Sequence, residues 1–387
     1  MLNIRWWMAS MLCGALCVSQ AQAQVNGGGS TAVLPLYQTA GVLTAGFAPY
    51  IGVDQGADKA AFLNNDYSRL VYGNTSKNVH WAATESKLSN SQLAQYQYEH
   101  GSAWGPLIQV PSAATTVAIP FNKAGAGAID LNISQLCGIF SGRIVNWGQI
   151  VGSGQVGPIT LVYPTGSSAM TELLTRFLHG KCSETGTFSV TTVFAQSYSG
   201  GLPEGAVAAN SSADIMQVLN ARDGTITFMA PTYAASTLEG LSDATRVARV
   251  GGLAPTPDNI AAAVASIPVP SVSRRADTNA WVPVFTTQPD VNDPSQFYYP
   301  NSGYPILGYT NLIFSQCYAD AEQTAQVRGF FTRHYGALAN NDNAIRQNRL
   351  VPLPAAWKTA VRQSFLTVTS GLSIGHSAVC NAIGRPL

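Results

Sequence analysis

The sequence has few charged residues for its length, and this scarcity excludes several classes of protein. Charged side chains make up 11% of the 387 residues, against about 25% in ordinary soluble domains. The 21 Lys and Arg residues nearly balance the 20 Asp and Glu residues, so neither sign is in excess. A nucleic-acid-binding protein needs a basic stripe, and a polybasic membrane anchor needs a basic cluster. Neither nucleic acid nor a lipid surface is therefore expected as a partner.

Long apolar runs are also rare, and the one near the N-terminus is typical of an export signal. An apolar stretch over residues 6–18 follows Arg5, and the letters AQA at residues 21–23 form an A-x-A cleavage site. The stretch is short for a membrane span, which needs about 20 residues. We therefore predict a signal peptide over residues 1–23 and a mature chain that starts near Gln24. The mature protein is expected in the periplasm or outside the cell, without inserting into a membrane.

Cysteine is scarce, and removal of the signal leaves four: Cys137, Cys182, Cys317 and Cys380. An even number in an exported chain indicates disulfides, and three pairings are possible. The sequential pairing is favoured, because it closes each loop within one region of the chain. A metal site is the alternative, but no C-x-x-C motif occurs and the five histidines lack ligand spacing. We therefore predict two disulfides and neither a metal nor another cofactor.

Short strands alternate with helices along the chain, which indicates an α/β layered fold. Predicted strands cover residues 116–122, 157–164 and 224–231, and another largely apolar stretch covers residues 303–315. Predicted helices cover residues 130–140, 170–180, 211–222 and 319–334. Residues 252–303 are rich in Pro, Asn and Asp, and we expect long surface loops there.

Two loops have the composition of an anion site. The segment NGGGST at residues 26–31 places three glycines before two hydroxyl residues, so its backbone could approach a ligand. The segment TGSSAM at residues 165–170 leads into a helix, whose first N–H groups and dipole favour an anion. The alternative is that both loops are simple helix caps. Pro164 stands just before the second loop and offers neither a charge nor an N–H group.

One catalytic motif matches by letter but not by context. The letters GLSIG at residues 371–375 fit the G-x-S-x-G nucleophile elbow. That elbow needs an acid and then a histidine later in the chain, and no Asp or Glu follows Ser373. No catalytic residue is therefore predicted.

A series of stretches along the mature chain resembles one family, the DING proteins. They are NGGGST, LYQTAGVLTAGFAPYIGV, KAAFLNNDYS, LIQVPS, VAIPFNK, LCGIFSGRI, TELLTRFL, SGGLPEGAVAA, SGYPILGYTNLIFSQCYADA and SIGHSAVCNAIGRPL. DING proteins are exported relatives of the phosphate-binding subunit of ABC transporters. The resemblance implies a type II periplasmic-binding-protein fold with two α/β lobes and a ligand cleft between them. It also implies disulfides between Cys137 and Cys182 and between Cys317 and Cys380.

The resemblance also implies how the chain divides into lobes. Residues 24–112 are expected to form the first part of lobe 1, residues 113–232 lobe 2, and residues 233–387 the return part of lobe 1. The family's interlobe cleft clasps phosphate, and two segments cross between the lobes.

The family's ligand residues, carried over one at a time, are largely replaced here. The phosphate-binding threonine and the N–H after it match Thr31 and Ala32. The family's serine after its first strand falls on Gln55, and its proton-accepting aspartate falls on Glu85. Its arginine falls on Pro164, and its Ser-Gly-Thr turn falls on Ser168, Ala169 and Met170. The scaffold is expected to be kept while the phosphate shell is rewritten.

Three functions follow from the resemblance. The first is an exported, monomeric protein that binds phosphate, a related oxyanion or a phosphorylated ligand, with an ABC transporter or secretion machinery as partner. The second is a secreted alkaline phosphatase acting on phosphomonoesters, as described for some DING relatives. The third is an extracellular protein with a vestigial cleft.

Overall fold

The computed structural model describes residues 24–53 and 57–386. The predicted signal peptide over residues 1–23 and the predicted ligand residue Gln55 lie outside the described residues. In the described part of the chain, no helix has the length and apolar character needed to cross a membrane.

Strands and helices alternate along the described chain as the sequence predicts. The strands are β1 Gly27–Ser30, β2 Ile51–Val53, β3 Trp81–Thr84, β4 Leu107–Thr116, β5 Ile119–Asn122, β6 Asp130–Leu131, β7 Thr160–Pro164, β8 Val207–Ala209, β9 Thr225–Ile226, β10 Val247–Val250, β11 Val284–Thr286, β12 Gln296–Tyr298, β13 Leu307–Ser315 and β14 Val351–Pro352. The helices are α1 Leu34–Gln38, α2 Ala57–Leu63, α3 Asn90–Glu99, α4 Gly101–Trp104, α5 Ile133–Phe140, α6 Ala169–Lys181, α7 Ser212–Ala221, α8 Pro231–Ala234, α9 Leu238–Ser242, α10 Pro257–Val264, α11 Ala321–His334, α12 Asp342–Gln347 and α13 Ala355–Phe365.

Two six-stranded mixed sheets organise these elements. The first has the order β14-β4-β13-β3-β1-β2, and the second has the order β6-β10-β5-β9-β7-β8. In the first sheet, β1 lies parallel between β2 and β3, whereas β13 runs antiparallel to β3 and β4. In the second sheet, β7 lies parallel between β8 and β9. Each sheet is the centre of one α/β lobe, so the predicted two-lobe type II fold is confirmed.

Two segments carry the chain between the sheets, and they meet each other. The first is Val117 and Ala118, between β4 and β5, and the second lies between β10 and β13. The N–H of Val117 donates to the carbonyl of Ile306 at 3.0 Å, and the hydroxyl of Tyr304 donates to the carbonyl of Val117 at 3.0 Å. These bonds join the two crossing segments into one connection between the lobes.

The chain passes from one sheet to the other at residues that differ from the predicted lobe boundaries. The boundary at residue 112 falls inside β4, which stays in the first sheet to Thr116. The boundary at residue 232 precedes β10, which pairs with β5 and β6 in the second sheet. Because long-range pairing places this four-residue strand, the local pattern did not reveal it. We propose that lobe 2 runs from about Ala118 to Val250, and the division remains a proposal.

The segment over residues 252–303 differs from the long surface loops expected there. It contains α10 and a small parallel sheet of β11 and β12. Several of its apolar side chains are buried, Trp281 and Phe285 among them. Pro257 and Asp258 belong to the first turn of α10, where both residue types are favoured.

Both predicted disulfides are present. Cys137 on α5 bonds to Cys182 just after α6, with their Cα atoms 5.5 Å apart. Cys317, just after β13, bonds to Cys380 near the C-terminus, with a Cα separation of 5.2 Å. The sequential pairing is therefore confirmed. One bond links α5 to the end of α6, and the other links the residue after β13 to the C-terminal segment.

Candidate ligand-binding cleft

A cavity of about 200 Å³ lies between the two sheets, and both lobes line it. The first lobe contributes residues 30–32, which follow β1, and Val53 from β2. The second lobe contributes the start of α6, the start of α7 and the residues after β9. Its lining residues are Pro164, Gly166, Ser167, Ser168, Ala169, Met170, Asn210, Ser211, Ser212, Ala213, Ile215, Phe228, Met229, Ala230 and Tyr233. Ligand sites of α/β folds lie at such strand ends.

The first loop presents its hydroxyls at the cavity but uses one N–H group internally. The hydroxyl of Ser30 accepts a hydrogen bond from the N–H of Ala32 at 3.1 Å and so caps the turn Thr31–Val33. The carbonyl of Thr31 accepts from the hydroxyl of Tyr233, which belongs to the opposite lobe, at 3.0 Å. The structure therefore shows the two lobes in direct contact at the edge of the cavity.

The glycines before this loop serve packing and not ligand approach. Gly27, Gly28 and Gly29 belong to the buried strand β1. A Cβ atom on Gly27 would lie 2.2 Å from the Trp81 ring, and one on Gly29 would lie 2.1 Å from the carbonyl oxygen of Ala83. These glycines therefore let β1 fit between β2 and β3, and they do not serve the approach of a ligand as the sequence suggested.

The second loop starts α6 as predicted. Ser168 is the N-cap residue, but its hydroxyl accepts no hydrogen bond from the first turn of the helix. Its N–H donates to the carbonyl of Thr192 at 2.8 Å, which fixes the loop while leaving the hydroxyl at the cavity. The first N–H groups of a helix have no partner within the helix, and they carry the positive end of its dipole.

A second helix start, whose role is not apparent from the sequence, lies beside the first. Ser211 caps α7 through the N–H of Asp214 at 3.1 Å, and residues 210–213 line the cavity. Parallel pairing of β7 with β8 brings the two starts together, and the hydroxyl of Thr165 bonds to Oδ1 of Asn210 at 3.0 Å. The serine cap was visible in the sequence, but its neighbour was not, because strand pairing decides it.

The described lining of the cavity is uncharged. No Asp, Glu, Lys, Arg or His is among the described residues that line it. The neighbouring stretch 54–56, which the structure does not describe, reads Asp-Gln-Gly and contains no cation. Pro164 occupies the end of β7, where the family's arginine was expected. The positive potential in the described lining therefore comes from backbone N–H groups and two helix starts.

Glu85 lies deeper in the first lobe and lines a different, much smaller cavity of about 20 Å³. Its side chain is buried, and this burial raises its pKa from the usual 4.5 to about 7. The hydroxyls of Ser30 and Thr310 favour the charged form, whereas the buried Asp58 opposes it. Among the described residues, neither carboxylate oxygen has a hydrogen bond of ordinary distance and angle.

Arg176 lines this smaller cavity with Glu85 and is absent from the lining of the cleft. Its guanidinium lies 2.6 Å from the carboxylate of Glu172, one helical turn earlier on α6. An ion pair satisfies it there, so it does not replace the missing cation of the cleft.

The structure thus brings together most of the predicted ligand residues. Thr31, Ala32, Ser168, Ala169 and Met170 all line the cleft, while Glu85 lies behind it. Their roles toward a ligand stay predictions. Tyr233, Phe228 and Met229 line the cleft as well but carried no motif that could have marked them.

Comparison with known proteins shows the family of this chain. A family model described as a PBP superfamily domain matches residues 18–330. Alkaline phosphatase L of Pseudomonas aeruginosa strain UCBPP-PA14 is 60% identical over 384 residues, covering 98% of this chain and 98% of that protein. A protein named phosphate-binding protein, from an unknown prokaryotic organism, is 55% identical over 380 residues, covering 94% of this chain and 100% of that protein.

A solved structure matches at similar identity. It is a high-affinity periplasmic phosphate-binding protein, PfluDING, bound with phosphate; it is 58% identical, covers 94% of this chain and 100% of its own, and superposes with a TM-score of 0.90. The chain therefore belongs to the PBP superfamily and, within it, to the DING-type proteins.

Proposed function

We propose that this chain is an exported solute-binding protein whose interlobe cleft holds the oxyanion group of a small ligand, and which binds free orthophosphate weakly. One observation carries this proposal. Two helix starts and several serine and threonine hydroxyls converge on the cleft, but no charged side chain lines it among the described residues.

The energetics favour a singly charged group over a dianion. Charge-assisted hydrogen bonds contribute about 1.5–3 kcal/mol each, and Pro164 provides none of those that an arginine fork would make. A helix dipole contributes about 0.3–1 kcal/mol at exposed sites and up to roughly 2 in partly buried ones. Two helix starts and hydroxyls therefore suit a monoanion, whereas a dianion would keep an uncompensated charge.

The walls of the cleft favour an ester over the free ion. Met170, Phe228 and Met229 add apolar surface to a lining that also contains the hydroxyl residues Thr31 and Ser168. A phosphate diester carries a single negative charge, whereas a monoester still ionises twice near neutral pH, and the diester's substituents can cover this apolar surface. A phosphate diester or a phosphonate ester is the ligand class that fits both features.

Calorimetric titration of phosphate-stripped protein tests this proposal. The probes are orthophosphate, sulfate, methyl phosphate and dimethyl phosphate. We expect dimethyl phosphate to bind more tightly than orthophosphate at neutral pH. Ala213→Phe, at the cleft, should abolish binding, whereas Ala221→Phe, on the exposed far end of the same helix, should not. Equal loss in both variants, or tightest binding of orthophosphate, contradicts the proposal.

A second candidate is a secreted phosphomonoesterase. It is favoured by the name of the Pseudomonas aeruginosa relative, alkaline phosphatase L. Phosphoryl transfer needs a nucleophile with a base, a metal pair or strong cationic stabilisation. The described lining offers hydroxyls but no histidine, carboxylate or lysine to activate one. Release of nitrophenol from p-nitrophenyl phosphate, measured with and without chelator, decides between the two functions: turnover lost in Ser168→Ala would support the enzyme.

Export remains part of the proposal, because the signal lies outside the described residues. The intact mass of protein secreted by the producing cell should correspond to a chain that starts near Gln24. A mass that retains residues 1–20 contradicts export by cleavage. We also propose that the mature protein is a monomer that serves an ABC transporter or secretion machinery.

A further inference from the structure

We propose a second ligand site on the first lobe, remote from the cleft, that takes a small organic anion with an apolar body. It is a cavity of about 500 Å³ bounded by α10, α12, α13 and β14. Small-molecule sites typically measure about 300–1,000 Å³. This cavity shares no lining residue with the cleft. It lies at the β14 edge of the first sheet, whereas the cleft lies at the β1 and β2 edge.

The charges of this cavity are unbalanced in favour of positive. Arg346, Lys358 and Arg362 line it together with a single acid, Asp342. Lys358 is buried, and its ammonium group pairs with the carboxylate of Asp342. One ion pair therefore uses the only carboxylate among the described lining residues and leaves two guanidinium groups without an acid.

The two guanidinium groups differ in how they are held. Arg362 donates to the carbonyl of Tyr335 and to the hydroxyl of Thr359, the latter at 3.1 Å. Both acceptors are neutral, so they orient the group without cancelling its charge. Arg346 is exposed in the last turn of α12 and makes no ion pair with any described residue. A concave surface with an excess of positive charge attracts an anion.

The apolar part of the cavity defines the rest of the ligand. Val264 from α10, Val351 from β14 and Leu353 are buried residues that also line it. An inorganic ion would leave this surface exposed to water, while an aromatic or aliphatic body would cover it. The arrangement matches a carboxylate, sulfonate or phosphate group between Arg346 and Arg362, with its carbon skeleton against the apolar wall.

Fluorescence titration with anilinonaphthalene sulfonate, an aromatic monoanion, tests this site. We expect the probe to bind at one site, with an affinity that falls as salt is added, because salt screens exposed charges. Arg346→Glu should weaken binding about tenfold, a change of roughly 1.4 kcal/mol. Arg346→Lys should keep most of the affinity. Arg222→Glu, an equally exposed charge reversal on the other lobe, should have no effect.

The variants separate this site from the alternatives. Arg346 is exposed and bonds to no partner side chain among the described residues, so its replacement should not affect folding; circular dichroism checks this. If Ala213→Phe in the cleft abolishes the fluorescence change, the probe binds in the cleft and the proposal fails. It also fails if Arg346→Glu and Arg222→Glu behave alike, or if an acidic peptide binds through Arg346 while the sulfonate does not.

Discussion

Glu85 shows how a single residue couples burial to pH. Burial raises its pKa from 4.5 to about 7, so between these values the folded protein holds a proton that the unfolded chain has released. Folding stability therefore falls as pH rises from about 4.5 to 7, through this residue alone. At pH 8 the charged carboxylate of Glu85 lowers the free energy of unfolding by about 3 kcal/mol.

Glu85→Gln should remove this contribution. We expect the variant to be more stable than the parent at pH 8, by about 1–3 kcal/mol, and nearly equal to it at pH 4.5. Chemical unfolding at both pH values measures the difference. Glu204→Gln replaces an exposed carboxylate and serves as the control. If Glu85→Gln shows no difference in stability between the two pH values, the carboxylate is not desolvated as described.

Sequence reasoning identified Glu85 as a residue of interest but not its surroundings. The resemblance placed the family's proton-accepting aspartate on Glu85, and the structure places Glu85 directly after β3. Its separation from the cleft could not be predicted, because Leu307 and Tyr309 of β13, more than two hundred residues later, line the cavity around it. Contacts of that sequence separation leave no local pattern.

At the scale of elements, β1 depends on the absence of side chains. Gly29 has a φ of 148°, which side chains rarely allow. A Cβ atom at this position would also clash with the carbonyl of Ala83 in β3, the strand with which β1 pairs. We expect Gly29→Ala to lower the free energy of unfolding by at least about 2 kcal/mol, through overpacking and backbone strain. Gly127→Ala, where nothing lies within 4 Å, should change it by less than about 0.5 kcal/mol. Equal unfolding midpoints would refute the packing role of the glycine.

The contribution of the disulfide between α5 and the end of α6 to stability can also be tested. It closes a loop with a sequence separation of 45 residues. Replacing Cys137 and Cys182 together by serine should lower stability by about 2–4 kcal/mol, chiefly because the unfolded chain gains freedom. Urea unfolding of the double variant measures this cost. An unchanged midpoint would mean that the bond does not form in the exported protein.

Elements with a strong local signal were predictable, and those placed by distant pairing were not. The starts of α6 and α7 follow from their serines and apolar periodicity, and the structure places them at Ala169 and Ser212. The two-residue strand β14 and the four-residue β10 depend on partners in β4 and β5. Such short strands have no periodicity of their own.

For the whole molecule, contacts between the lobes set how far the cleft is open. The hydroxyl of Tyr233 bonds to the carbonyl of Thr31, and Arg349 donates to the carbonyls of Thr232 and Ser236 at 2.8 and 3.1 Å. Arg349 lies beside β14 of the first sheet, so its two bonds join the first lobe to the second. Each hydrogen bond contributes about 0.5–1.5 kcal/mol.

Tyr233→Phe combined with Arg349→Ala should shift the ligand-free protein toward an open cleft. Small-angle X-ray scattering should then give a larger radius of gyration than for the parent. The matched pair Tyr72→Phe and Arg222→Ala changes exposed side chains and should leave the scattering unchanged. Identical curves for all three proteins would show that the lobes are held by other contacts.

The central claim is that this DING-type scaffold has kept its cleft and lost its strong phosphate shell. Isothermal titration of phosphate-stripped protein with orthophosphate tests it most directly. The variant with Pro164→Arg, Ala169→Gly and Met170→Thr, which restores the family pattern, is titrated beside it. We predict that the unmodified protein binds at least a hundredfold more weakly than this variant, a gap of about 2.7 kcal/mol. Binding of orthophosphate by the unmodified protein in the micromolar range or tighter would contradict the account.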